Sequence, residues 1–129
     1  MNILIDTINF GDVDVKKFDD SFYEICPGDY VEMTAEKVEE VLSFIDNDRG
    51  DEKVLLLLNV PPFGSIDKSA TKSKSMEYHN KMTKGYAVIV DNLSSRMMAN
   101  FYISLKSFNF PLKLFKNREK GMAWLQNQK

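Results

Sequence analysis

The stretch Gly85–Leu125, GYAVIVDNLSSRMMANFYISLKSFNFPLKLFKNREKGMAWL, alternates strand, helix, strand and helix with almost nothing left over. Short apolar runs separated by amphipathic segments of helical length are how a βαβ unit reads in sequence, because a buried parallel strand is apolar on both faces. Tyr86–Val90 is the first predicted strand. Asp91-Asn92 then turns into a helix that places Met97, Met98, Phe101, Tyr102 and Leu105 on one face. Phe110–Phe115 is the next strand, with Pro111 near its start, where a missing N–H is tolerated. Asn117 caps a closing helix that buries Met122, Trp124 or Leu125.

Outward toward the amino terminus, Lys53–Asn59 carries Val-Leu-Leu-Leu-Leu at its centre, which predicts a strand covered on both faces in the middle of the sheet. Pro61 and Pro62 end it, and Gly64 loosens the loop beyond. Asp67 is read as the cap of a polar helix running to about Met82, its apolar positions sparse (Ile66, Ala70, Met76, Tyr78, Met82) and lysines between them. Before the central strand, Thr34 is an N-cap with Glu36 in the first turn and a Met33–Val38 staple. The helix that follows buries Val38, Val41, Leu42 and Ile45, spaced i, i+3, i+4, i+7, and stops at Gly50. The first thirty-odd residues read as strands: Ile3 to Val15, a turn at Asp19-Asp20, then Phe22–Cys26 into a Pro27-Gly28-Asp29 turn, with Tyr30–Met33 as a short strand extension. The predicted order is β-β-α-β-α-β-α-β-α: an α/β fold with a mixed sheet of about five strands and roughly four helices, in one domain over residues 1–129.

Length and composition agree. The chain of 129 residues, 43% hydrophobic and 28% charged, suits one domain with an ordinary core. The longest apolar run, Val54–Leu58, is far too short to span a bilayer, and Asp6 interrupts the start before a signal-peptide core forms. A lone cysteine, Cys26, rules out an intramolecular disulfide, so a cytoplasmic location with no integral membrane segment is expected. Net charge is −2, but residues 1–52 hold 15 of the 19 acids and 4 of the 17 bases, a balance of −11, and the remainder sums to +9. Mutual attraction of these parts within one fold is favoured over a basic face for nucleic acid or anionic lipid, although Lys68, Lys72, Lys74, Lys81 and Lys84 share one short segment.

Chemical signatures are sparse. His79 is the only histidine and, on a lysine-rich helix, is expected at the surface; with one distant Cys26 it makes neither a zinc set nor a nucleophile pair. Cys26 reads as a buried small apolar residue. The six glycines form no dinucleotide or phosphate loop, and the adjacent pairs Asp19-Asp20 and Glu39-Glu40 point to different faces, unlike converging catalytic carboxylates. A phospho-receiver domain would place an Asp after its central strand, where Asn59 stands. Phe101, Phe108, Phe110 and Phe115 are read as core. No catalytic residue, cofactor or metal is predicted.

The order of elements, the central VLLLLNV strand and the ending SSRMMANFYISLKSFNFPLKLFKNREKGMAWL resemble the sulfate-transporter and anti-sigma-factor-antagonist (STAS) fold over about Tyr30–Leu125. More closely, the ending is similar to small uncharacterised bacterial STAS-like proteins whose carboxyl end has the form S-R, small-Asn-Phe, Pro-x-Lys-x-Phe and Ala-x-Trp-Leu. In the antagonists a strand ending in Asp is followed by a loop and Asp-Ser-Ser-Gly at the start of the second helix, where the second serine is phosphorylated. Laid without gaps, Asn59 takes the strand-ending position and Asp67-Lys68-Ser69-Ala70 the tetrad, so the resemblance implies Ser69 as the phosphorylated serine, with Asn59, Lys68 and Ala70 departing from the pattern. A phosphate there would sit near a helix N-terminus beside Lys68 and within a turn of Lys72.

The expected function is a non-enzymatic regulatory or protein-interaction domain working through the Asn59–Ser75 loop, with Asn59, Ser65, Asp67, Lys68, Ser69 and Lys72 as candidate phosphorylation or partner residues. The alternative is a carrier or sensor of a small apolar or lipid-like anionic ligand, suggested by nine Phe, seven Met and the lysines. A symmetric homodimer is also expected, and nucleic-acid binding is not.

Overall fold

The computed structural model describes residues 3–19, 21–61, 63–66, 75–90 and 109–129. In chain order the elements are β1 (Leu4–Asn9), β2 (Val13–Phe18), β3 (Phe22–Pro27), β4 (Glu32–Met33), α1 (Ala35–Asp48), β5 (Val54–Asn59), β6 (Ser65–Ile66), α2 (Ser75–Met82), β7 (Thr83–Ile89), β8 (Leu112–Phe115) and α3 (Arg118–Gln126). Six strands form one mixed sheet in the order β1-β2-β3-β5-β7-β8. The first three are antiparallel neighbours, and β3, β5, β7 and β8 run parallel.

The run Val54–Leu58 is the interior strand its composition predicts. Its even-numbered residues face α1 and α2 in a core with Val13, Val15, Ile25, Val41, Leu42, Ile45 and Met82. Leu55 and Leu57 face α3 with Phe22, Ala87, Ile89 and Leu125. Both predicted caps form: Thr34 Oγ1 accepts from the Lys37 N–H at 3.2 Å, and Asn117 Oδ1 from the Lys120 N–H at 2.9 Å. Each satisfies a first-turn donor that has no partner inside its helix. Helix α3 comes close to the sheet at Gly121, where a Cβ would stand 2.5 Å from Ile89 Cδ1.

The strand count exceeds the sequence expectation because the first segment folds back on itself. Gly11 adopts φ +80°, and the Asn9 side chain accepts from the Gly11 N–H at 3.0 Å and donates to Asp14 at 2.7 Å. These bonds close a turn, so one expected strand becomes the β1–β2 hairpin. Tyr30–Met33 does not extend β3: Tyr30 lies in a turn, and Glu32–Met33 pairs with Ser65–Ile66 in a separate two-stranded ribbon. Three helices are present among the described residues. The helix expected from Asp67 is present from Ser75 to Met82, and its predicted start lies outside the described residues, as does the helix expected after Asp91-Asn92.

His79 is not at the surface. It is 4% exposed, its ring centroid lies 5.0 Å from that of Tyr86 and 5.7 Å from that of Phe110, and its Nδ1 is 3.1 Å from Thr83 Oγ1. Burial lowers its pKa from 6.5 to about 4, so the ring is neutral at physiological pH. Met76, His79 and Met82 recur every three residues, and the sheet covers that stripe at its Met82 end, which is fully buried. Charge attraction between the two parts of the chain is present: Arg118–Glu24 and Lys81–Asp46 join basic part to acidic, at 2.9 and 3.0 Å.

Candidate functional site

Because β3, β5, β7 and β8 are parallel, their carboxyl ends lie along one edge of the sheet, where the loops after β3 and β5 meet. Asn59 ends β5 at this edge. It does not point outward as a free ligand: its Nδ2 donates to Glu24 Oε2 at 2.6 Å and lies 3.6 Å from Cys26 Sγ. Glu24 is 3% exposed and is gripped from α3 by Arg118, whose Nε and Nη2 donate to Oε2 and Oε1, both at 2.9 Å. Burial alone would raise the Glu24 carboxyl's pKa. The hydrogen bonds from Arg118 and Asn59, with the positive charges of Arg118 and Lys16, outweigh it and hold the carboxyl below its ordinary value.

This cluster is chemically quiet. Every Glu24 oxygen is paired, and the carboxylate is ionised, so it is neither an acid nor an available base. Cys26 is half-buried rather than fully buried as expected, and burial together with the negative charge of Glu24 pushes its thiol pKa up, which keeps the nucleophilic thiolate scarce. Among the described residues no group of three or more His, Cys, Asp or Glu is placed to hold a metal. The role these contacts support is mechanical: they pin the first turn of α3 across to β3 and β5.

The loops above this cluster present the opposite chemistry. Tyr30, just after β3, is 78% exposed, and Phe63, just after β5, is 68% exposed. Their rings stack at 5.1 Å between centroids, with planes 10° apart. One backbone bond ties the loops to each other, the Phe63 N–H donating to the Asp29 carbonyl at 3.2 Å, and each loop is closed by a turn of its own: the Gly64 N–H donates to the Pro61 carbonyl and the Val31 N–H to the Gly28 carbonyl, both at 3.2 Å. Gly64 is required here, since a Cβ would stand 2.7 Å from the Val31 carbonyl oxygen and run into the Pro61 ring. The β4–β6 ribbon continues the tie. The two rings are thus held side by side in water by an ordered frame.

Of the residues singled out from sequence, Asn59 is placed at this edge but engaged inward, and Ser65 lies in β6 opposite Glu32. Asp67, Lys68, Ser69 and Lys72 lie outside the described residues. Glu24, Arg118, Tyr30 and Phe63 were not flagged as site residues. A signal for Glu24 existed: Phe22, Glu24 and Cys26 share one face of a strand, and a carboxylate on a covered face needs a partner. Arg118 lies 94 residues away, with no local signal connecting the two.

The fold is that of the SpoIIAA-like proteins. A crystal structure of an uncharacterized protein from the DUF3478 family with a SpoIIAA-like fold, from Shewanella loihica PV-4, aligns over 88% of this chain and 91% of that one, with a TM-score of 0.57 and 14% identity. The STAS-like reading of the fold is thereby borne out, since SpoIIAA-like and anti-sigma-factor-antagonist-like describe one architecture. Residues 28–129 match the family described as Domain of unknown function (DUF7793), and the chain belongs to that family. No curated protein matches the chain. No helix among the described residues is long and apolar enough to cross a membrane.

Proposed function

We propose that this chain is a non-enzymatic protein-interaction domain of the anti-sigma-factor-antagonist kind, docking a partner through the loops at the carboxyl ends of β3 and β5. The observation that carries the reading is the Tyr30–Phe63 pair, two stacked rings exposed at 78% and 68% on cross-tied loops. Large rings in water are unfavourable unless something covers them, and rigid aromatic side chains are what binding hot spots are made of. The polar cluster beneath is saturated, which favours a positioning role over a chemical one. In this reading the segment that follows in sequence, with Ser65, Asp67, Lys68, Ser69 and Lys72, carries the switch, through the negative charge that a phosphate on Ser69 would add.

The test is affinity capture from lysate of the source cell with the wild type, Tyr30→Ser/Phe63→Ser and Ser69→Asp. The expected result is a protein retained by the wild type and lost from the aromatic variant, whose unfolding free energy stays within about 0.5 kcal/mol of the wild type because nothing buried is touched. Ser69→Asp should alter the amount retained. An identical set of bound proteins for all three chains would overturn the docking reading.

A further inference from the structure

We propose that the Tyr30–Phe63 platform is built for a cationic polypeptide segment that lays an arginine side chain against the rings. This inference rests on the docking reading and adds the chemistry of the partner. From Phe18 to Glu36 the chain holds no Lys or Arg, and the other arm of the platform, Asn59–Ile66, carries no charge at all. Asp29 precedes Tyr30 directly and its carbonyl is bonded to Phe63, Glu32 follows two residues later, and both side chains are exposed. Asp12 is held beside this turn, its carbonyl accepting from the Gly28 N–H at 2.9 Å, but its carboxylate is taken up by Lys37, so Asp29 and Glu32 carry the charge of the rim. Lys37, the first base beyond this stretch, is held by Asp12 at 3.0 Å and by the Phe10 carbonyl at 3.0 Å.

Aromatic faces carry negative quadrupolar charge, and carboxylates around them deepen the potential that a cation meets. The same rim repels an acidic segment and opposes a purely hydrocarbon one, which would strip water from Asp29 and Glu32 without replacing it. Arginine suits the site better than lysine, because its planar guanidinium stacks on a ring while its N–H fork reaches a carboxylate.

The probes are hexa-arginine, hexa-lysine and hexa-glutamate peptides titrated into the full 15N-labelled chain. Hexa-arginine should shift the amides of Asp29, Tyr30, Glu32, Phe63 and Gly64, binding tighter than hexa-lysine. Its affinity should fall about three- to tenfold in Tyr30→Ser/Phe63→Ser, which keeps the charges, and in Asp29→Asn/Glu32→Gln, which keeps the rings. Equal affinity in the wild type and the aromatic variant overturns the proposal, because acids alone would then hold the peptide. So does hexa-glutamate shifting the same amides. Sedimentation velocity of the chain alone covers a second copy: a dimer that the aromatic variant dissolves places another molecule of this chain on the rings and overturns the proposal. The two readings fail separately. A captured protein lost with Tyr30→Ser/Phe63→Ser but fully retained by Asp29→Asn/Glu32→Gln keeps the docking edge and removes the cationic partner.

Discussion

Glu24 and Tyr30 are six positions apart, and each sits where the other's chemistry would be expected. A carboxylate 3% exposed lies under the sheet's carboxyl edge, and an aromatic ring 78% exposed lies above it. The difference is in what each has found as a partner. Glu24 is ionised and fully hydrogen-bonded by Arg118 and Asn59, so its burial is resolved within the chain. Among the described residues Tyr30 stacks on Phe63, and both side chains are largely exposed. A buried polar group that is satisfied speaks of architecture, whereas an apolar pair that an ordered frame keeps exposed speaks of something that arrives from outside.

The buried side of this contrast is most sharply tested at His79, whose neutral ring is a buried polar group of the same kind. An unfolded chain binds a proton on this imidazole as pH falls below 6.5, while the folded chain resists until about 4. Stability is therefore complete above pH 6.5 and is lost as pH falls from there toward 4, by roughly 3 kcal/mol at the lower end. Urea unfolding at pH 7, 5.5 and 4.5 measures it. His79→Phe, which keeps a ring against Tyr86 and Phe110 but cannot be protonated, should flatten most of this slope. An unchanged slope in that variant would mean that other groups set it.

Arg118→Gln comes next. It leaves Glu24 buried with one fewer charged partner, and the loss should be about 2 kcal/mol, below the ~3–5 kcal/mol of a wholly buried pair because the Arg118 side chain is 46% exposed. The carboxyl sits below its ordinary 4.5 in the folded chain, so the stabilisation is fully present above pH 4.5 and disappears as pH falls through the folded-state value. The gap between wild type and variant should accordingly close in acid. A gap of the same size at pH 7 and pH 3 would show that Arg118 acts through packing and not through the charge on Glu24.

Legibility in the sequence follows the same division. Elements held by local rules were readable: the Val54–Leu58 strand from its doubly apolar composition, α1 and α3 from Thr34 and Asn117, and the β2–β3 turn from Asp19. The β1–β2 hairpin was missed because its turn depends on Asn9 bonding around Gly11, a feature without a Pro-Gly or Asn-Gly marker. His79 was misplaced because the lysines around this helix hide the buried positions His79 and Met82, three residues apart. The site was least legible of all, since both its halves are made by residues brought together across the fold: Glu24 with Asn59 and Arg118, Tyr30 with Phe63. No window of sequence contains either pair, and a period-based reading gives Tyr30 to a strand.

Gly64 is where the frame and the exposed rings can be separated with the least damage. Its neighbours leave no room for a methyl group: the Val31 carbonyl oxygen would lie 2.7 Å from it, and that oxygen is backbone that cannot swing aside like a side chain. Gly64→Ala must therefore move one loop against the other, at about 1–2 kcal/mol, a typical cost of overpacking. The displaced loop carries Phe63, and the bond from its N–H to the Asp29 carbonyl is the tie that aligns the rings. Upfield ring-current shifts of the Tyr30 and Phe63 protons, present in the wild type, should shrink in Gly64→Ala, and capture of the partner should fall with them while both rings remain in the chain. Undiminished ring-current shifts and undiminished capture would mean that the pair does not depend on the frame, and that two exposed rings on any loop would serve as well.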